Sequence, residues 1–554
     1  MRSIIDRDIA RLEESIRALK SRRNELSPIS RLPAEVICNI FSLIEEDNIT
    51  YSGRGPASWS NFSRVSQYWR STALSAPELW TKIPLSYPRW AKEMLIRSKK
   101  AKLTIQSRFS FDSSDSKAIE MLRSCLCEMD RIEELKLPAT PGLTLEKIFQ
   151  GPPKSAPQLR TLCIGSQLSY PYARAGISIY EDFFCDTERL KHVELINCKI
   201  SWDSQLLTGL TSLNLEDALK AKSSITQLLD ALQRMPALTD LRLKNTIPED
   251  SEDPSTYPVV DLHCLRVLHI VSGVGALTTV LRHITIPPSA TWNLACRGNE
   301  SIETDFTNFL SVLATKFLSS LVIQKLRLRV LEGADGPGLE FCLWTTATFS
   351  NQLALKWPTL QTQNYVKALT CAFKAMSLPL LTQLHISTLG FIDSVTWIKT
   401  FGKLPLLKRV YVQSSASHAF LEALVYKTKA AEKSKAAYRN VSFPKLQQID
   451  LEGIDFEEGL QSTSFDMLLD CLIERYERNA EIQKLCLNDC YSLWAEDVDG
   501  LKEVVVDVTW DGIEQGFSDD EEDDDDREYD SEGNTVCSDD LDYEYDYDDF
   551  SSFW

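Results

Sequence analysis

Histidine and cysteine are the side chains of this sequence best suited to metal or nucleophilic chemistry, and their spacing decides whether either is in prospect. The six histidines are scattered. His192, His269 and His385 each fall inside a short strand-like apolar frame, whereas His263, His283 and His418 have no ligand-type residues at a useful spacing. Each reads as isolated. Of the fourteen cysteines, only Cys125 with Cys127 and Cys486 with Cys490 are close in sequence. Zinc sites built from such pairs need a second cysteine or histidine pair at defined spacing, and neither has one, so no metal site is expected. Others sit in apolar contexts such as Leu162-Cys163-Ile164, where a reduced thiol packs as a small hydrophobe. The glycine-bearing stretches SGVGAL (Ser272 to Leu277) and LEGADGPG (Leu331 to Gly338) match neither a Walker loop nor a dinucleotide fingerprint. The residue types point to binding without catalysis, with no cofactor and no enzymatic activity of the chain's own.

The elements that must position any binding side chains recur along the chain. A frame of the form (Leu/Ile)-x-x-(Leu/Val/Ile)-x-(Leu/Ile/Val) starts at Ile132, Leu159, Leu190, Leu210, Leu238, Leu265, Ile323, Leu381, Leu407, Leu446 and Ile482. Five of the separations lie between 26 and 31 residues, and two equal 58, twice 29, so each long gap is expected to hide one degenerate repeat. The last two apolar residues of a frame point inward from a short parallel strand, and the first packs beneath the preceding turn. Helices are expected between strands, at Ser223 to Met235, Glu303 to Leu318, Tyr365 to Met376 and Thr463 to Glu477. The fold expected is α/β, an irregular leucine-rich-repeat solenoid of parallel strands alternating with helices over residues 91–516. It is irregular because the usual Asn or Cys just past the frame is clear only as Cys198 and Cys490. In such a solenoid the residue between the two strand leucines faces the open concave side. That predicts binding contacts from Lys136, Cys163, Glu194, Asn214, Arg242, His269, Arg327, His385, Tyr411, Asp450 and Cys486. Both charges occur in the row, so no substrate class follows.

Ahead of the frames, residues Arg31 to Ile44 read RLPAEVICNIFSLI. Pro33 suits a first helical position, and Glu35 in the first turn complements the helix dipole. Val36, Ile37, Ile40, Phe41, Leu43 and Ile44 then cover more than one face of so short a helix, so part of this surface needs a partner. Farther on, Val65, Trp69 and Ala73 recur at helical spacing before Pro77 stops the run.

L-P-x-E-V-I-x-x-I-F-S, then V-x-x-x-W-R-x-x-A and P-x-L-W, resembles an F-box, the three-helix module that docks substrate receptors onto the Skp-type adaptor of cullin–RING ubiquitin ligases. The resemblance implies that Leu32, Pro33, Val36, Ile37, Ile40, Phe41, Val65 and Trp69 form or support the adaptor interface, within a domain of residues 30–90. Two departures are visible: the connection Glu45 to Ser58 is longer than the family's usual joint and is expected to bulge outward, and Tyr68 stands where a basic residue is common. The whole arrangement is similar to the leucine-rich F-box proteins of mushroom-forming fungi, in which a coiled-coil-like helix also precedes the F-box. The resemblance implies a substrate-recognition subunit of an SCF-type ligase, reaching a cullin through the adaptor and binding a protein substrate. The alternative is a non-catalytic leucine-rich scaffold acting outside a ligase.

In residues 1–29, Ile5, Ile9, Leu12, Ile16, Leu19 and Leu26 follow alternating spacings of four and three with Arg23 breaking the seam. This segment reads as a short coiled coil that either pairs two copies into a homodimer or folds back along its own chain. The interruptions Ile247 to Tyr257, Leu331 to Gly338 and the lysine-rich Tyr426 to Tyr438 are binding loops or solvated insertions.

The net charge of −19 concentrates in residues 519–549, where eighteen carboxylates face Arg527 alone, a net −17 that leaves −2 for the remainder. A nearly neutral remainder lacks the electrostatic footprint of a nucleic-acid binder. The segment 517–554 is expected to be a disordered acidic tail, either a binding segment for a basic partner or a solubilising one. No run approaches the roughly 18 apolar residues of a membrane span, and Arg2, Asp6, Arg7 and Asp8 interrupt any signal-like segment, so a cytoplasmic or nuclear location is expected.

Overall fold

The computed structural model describes residues 2–51, 59–85, 87–107, 116–149, 151–167, 177–178, 183–218, 223–249, 257–297, 302–317, 321–331, 338–345, 352–358, 362–376, 378–387, 392–413, 417–425, 441–456 and 464–514. The acidic tail from residue 517, the lysine-rich segment 426–438 and the centres of the loops at 250–256 and 332–337 lie outside the described residues.

The chain opens with three helices, α1 (Arg2–Glu25), α2 (Ala34–Tyr51) and α3 (Gln67–Ser75). No residue of α1 is buried. Pro33 sits one position before α2 and accepts its first hydrogen bonds, from the amides of Val36 and Ile37, so it caps the helix instead of opening it. α2 runs through Glu45 to Tyr51, where the sequence suggested an outward loop. Val65 also departs from expectation: it precedes α3, which starts after Ser66, whose hydroxyl accepts the Trp69 amide at 3.1 Å. A serine with extended backbone at this position is a better helix start than a continuous turn, because it satisfies an orphan amide.

From Lys82 onward the architecture is α/β, built on one 17-stranded, mostly parallel sheet. Its strands in chain order are β1 (Lys82–Pro84), β2 (Leu103–Gln106), β3 (Ile132–Pro141), β4 (Thr161–Gln167), β5 (His192–Ile196) and β6 (Ser212–Glu216). There follow β7 (Asp240–Lys244), β8 (Val267–Gly273), β9 (Thr291–Arg297), β10 (Lys325–Leu331), β11 (Gly338–Trp344) and β12 (Leu353–Pro358). The last five are β13 (Gln383–Ser387), β14 (Arg409–Gln413), β15 (Gln448–Glu452), β16 (Lys484–Asn488) and β17 (Asp507–Trp510). The sheet begins before the boundary at residue 91 suggested by the sequence, since Ile83 of β1 pairs with Ile105 of β2.

All eleven apolar frames lie on strands of this sheet, and their last two apolar residues are buried throughout, from Leu135 and Leu137 to Leu485 and Leu487. Each frame takes roughly three aliphatic side chains out of water at about 1.5–3 kcal/mol apiece. The buried residues form one continuous core from Ile37 to Val505, shared with helices such as Ile225–Gln233 and Phe465–Glu477. Ser224 and Ser464 cap these two helices through the amides of Gln227 and Met467. The four expected helical stretches are present, with ends shifted by a few residues.

The first gap of 58 residues contains one hidden strand, β9, which continues the parallel register beside β8. The second gap does not. After β9 the chain places β10 three strand positions further on, returns through β11 and β12, and sets β12 parallel to β9. β11 is antiparallel to both neighbours, and β10 then pairs in parallel with β13. The spacing of 58 therefore arises from an inserted antiparallel strand and its partner, not from a degenerate repeat.

Strand ends carry a pattern that the frames alone do not reveal. Asn197, Asp217, Asn245, Gly453 and Asp489 each directly follow a strand and adopt positive φ between 49° and 61°. Asn, Asp and Gly tolerate this left-handed backbone best. The turn aims the amides of Asn197, Asp217 and Asn245 at carbonyls of the next strand, Glu216, Lys244 and Val271, at 2.8–2.9 Å. The Asn245 side chain also donates to Asp217 at 2.8 Å.

Candidate functional site

Two surfaces emerge, one on the N-terminal helices and one on the sheet. On and around α2 the resemblance-derived residues divide by burial. Ile37 and Phe41 are fully buried, and Phe41 stacks on Phe62 with ring centroids 3.8 Å apart and meets Trp69 edge-on at 5.3 Å. They are core residues, so of the two roles the resemblance implies, forming or supporting the interface, only support from beneath is open to them. Pro33, Val36 and Val65 are exposed, and Leu32, Ile40 and Trp69 are half-buried between the two groups. Leu43, which the resemblance did not single out, is 62% exposed on the same helix. Tyr68 donates its hydroxyl to the Leu32 carbonyl at 2.9 Å, holding the segment before α2 against α3. Farther along, the Trp80 indole donates to the Ala73 carbonyl at 2.8 Å. A helical unit with its own buried core thus carries uncovered apolar side chains.

On the sheet, residues between successive frame leucines alternate to the face opposite the core. Register places the predicted contact residues in one unbroken row: Lys136 opposite Cys163, Cys163 opposite Glu194, then Asn214, Arg242 and His269. After the insertion the row resumes with Arg327, His385, Tyr411, Asp450 and Cys486. Asn293, Ala354 and Cys342 join the two halves, and Thr509 extends the row past Cys486. The sequence missed these four because β9, β11 and β12 carry no regular frame and β17 is the terminal strand.

The row is charged but largely self-neutralised. Lys136 pairs with Glu134 at 2.7 Å and Arg242 with Asp240 at 3.5 Å. Arg409 forks onto the buried carboxylate of Asp450 at 2.7 and 2.9 Å, and Gln448 donates to the same group at 3.0 Å. The Tyr411 hydroxyl donates to Glu452. The His385 ring lies 3.8 Å from that of Tyr411. Burial first, then the neighbouring Arg327, Lys325 and Arg329, push His385 down to about 4, so its imidazole is neutral near pH 7. His269 is lowered by the same causes, burial and then Arg242 and Lys244. Arg327 and Lys325 lie over the Trp344 ring at 5.5 and 5.0 Å.

The cysteines divide between buried and accessible positions. All thirteen among the described residues are free. Cys125 is buried and Cys127 exposed, while Cys490 donates to carbonyls of the core and Cys486 meets Thr509 at 3.7 Å. Burial pushes Cys125, Cys198 and Cys471 up to about 12, which suits packing and not nucleophilic attack. Of the histidines, His418 approaches Glu422 at 3.6 Å, and His283 meets Tyr257 edge-on. His192 is not isolated, because the sheet brings Glu194 and Cys163 beside it.

A depression of about 440 Å³ lies at the strand starts of β13 to β16, lined only by polar residues including Lys408, Arg409, Gln447 and Lys484. It lacks the apolar walls of a small-molecule site. Among the described residues, no helix is long and apolar enough to cross a membrane. The sequence matches no protein-family profile and no curated protein.

Proposed function

We propose that this chain is a non-catalytic substrate-recognition subunit of an SCF-type cullin–RING ubiquitin ligase. In this reading residues 30–90 are an F-box that docks a Skp-type adaptor and through it a cullin, and the sheet with its helices is a leucine-rich-repeat solenoid that holds a protein substrate. The observation that carries the reading is the exposed strip of Pro33, Val36, Leu43 and Val65 beside half-buried Leu32, Ile40 and Trp69. A folded unit that buries Phe41 yet leaves these residues uncovered has apolar surface to give to a partner. The polar row across the strands supplies the second attachment, and the chain would contribute proximity: it holds a substrate lysine near a conjugating enzyme carried by other subunits.

Co-purification of the full chain with a Skp-type adaptor is the test; failure to form that complex returns the protein to the reading of a scaffold outside any ligase. A homodimer through residues 1–29 belongs to the same proposal. Ile5, Ile9, Leu12, Ile16 and Leu19 on α1 are 48–68% exposed, so this seam packs on nothing within the described chain. Measured molar mass of the full chain decides it, since a monomer removes the dimer.

A further inference from the structure

We propose that Cys163, His192 and Glu194 form a binding site for one divalent ion of the zinc class on the polar face of the sheet. β4 and β5 run parallel with Cys163 opposite Glu194 and Thr161 opposite His192. Alternation along β5 puts His192 and Glu194, two residues apart, on the same face, and register brings the Cys163 thiol beside them. His192 Nε2 lies 3.8 Å from a Glu194 carboxylate oxygen, and one donor atom from each of the three residues lies within 4.8 Å of the others. In a tetrahedral zinc site, bonds of about 2.0–2.3 Å separate ligand atoms by roughly 3.3–3.8 Å. The remaining difference, about 1 Å, is what the side chains must cover on binding, their strands already being hydrogen-bonded in register.

Thiolate, imidazole and carboxylate together form a donor set that suits zinc better than magnesium or calcium, which take oxygen ligands. Cys163 is 8% exposed, while the His192 and Glu194 side chains are each about one-third exposed, so an ion can reach the group from solvent. The flanking cations are engaged: Lys136, opposite Cys163, is held by Glu134, and Arg242 by Asp240. On binding, the Cys163 Sγ–H bond breaks and its proton passes to solvent as the sulfur–metal bond forms, with no electron transferred. Three protein ligands leave the fourth position to water.

The test is titration of the full chain with Co²⁺ followed by Zn²⁺, read by absorption. The site predicts one equivalent with a near-ultraviolet thiolate-to-cobalt band that zinc abolishes. Cys163→Ser should remove the band, and His192→Gln and Glu194→Gln should each weaken affinity by about tenfold or more. His192 and Glu194, each about one-third exposed, keep the test valid if Cys163→Ser fails to fold. Cobalt held by the carboxylates of residues 519–549 would give no thiolate band. Absence of the band, its survival in Cys163→Ser, or unchanged affinity in both His192→Gln and Glu194→Gln would overturn the site.

Discussion

The guanidinium of Arg409 on β14 forks onto the carboxylate of Asp450 on β15, and the two ends of this pair are buried unequally: the Arg409 side chain is 45% exposed and Asp450 only 4%. The inequality sets the order of two substitutions. In Asp450→Ala the freed arginine turns to water, and the loss is about 1–3 kcal/mol. In Arg409→Ala the carboxylate stays buried with only the uncharged Gln448 amide and Cys486 thiol beside it, and stability should fall further. Urea melts of the two variants check this; Asp450→Ala proving the more damaging would show that the buried carboxylate does not depend on Arg409.

Arg475 is 1% exposed and donates to the carbonyls of Ala480, Ser442 and Phe443 at 3.0–3.1 Å. It ties the helix Phe465–Glu477 to the segment at 441–446 where the chain enters β15, and burial lowers its pKa to about 10. Three carbonyls from two segments match a planar fork and not an ammonium. Arg475→Ala should cost roughly 2–4 kcal/mol, and Arg475→Lys should recover little of it. Near-complete recovery in the lysine variant, seen in thermal melts, would mean that charge alone matters there.

His385 predicts a pH dependence. Its folded value, about 4, lies below the ordinary 6.5, so between these values the unfolded chain binds the proton more tightly. Stability should therefore fall as pH drops from about 6.5 towards 4. The groups facing it are Arg327, Lys325, Arg329, Tyr411 and Asp450, of which the three cations oppose its protonation. The stability difference between wild type and His385→Gln should narrow or reverse across this window. A difference independent of pH would mean that the imidazole is not held neutral.

Phe41→Ala removes a ring stacked on Phe62 and should destabilise the helical unit by about 3–5 kcal/mol, whereas Val36→Asp on the exposed side should leave melting within about 0.5 kcal/mol of wild type. Comparable losses in both would mean that Val36 is covered in solution.

Much of the sheet was legible because frame leucines at fixed offsets dictate both strand and register: Leu162 and Val193 could be aligned, and with them every polar residue between. The second gap was not legible, since β11 and β12 are held by hairpin geometry with Leu339, Phe341 and Leu343 all buried, a pattern that spacing between frames cannot encode. His192 read as isolated because Cys163 is 29 residues away in sequence; only register makes them neighbours. Aligning frames one residue either side of the leucines would have exposed it. The left-handed Asn, Asp and Gly positions were hidden by a consensus that looked for Asn or Cys one residue later. On α2 the apolar excess was readable, but which residues face inward was not: Phe41 is fixed by Phe62 and Trp69, two aromatics that come from outside the helix.

Whether the exposed strip docks a Skp-type adaptor, as proposed, is decided by calorimetric titration of that adaptor into the full chain. Wild type should bind, and the combined substitution Leu32→Ala, Pro33→Ala and Val36→Asp should lose at least about tenfold in affinity with far-ultraviolet circular dichroism unchanged. Absence of binding by the wild type, or equal binding by the folded variant, would rule out adaptor docking through this strip.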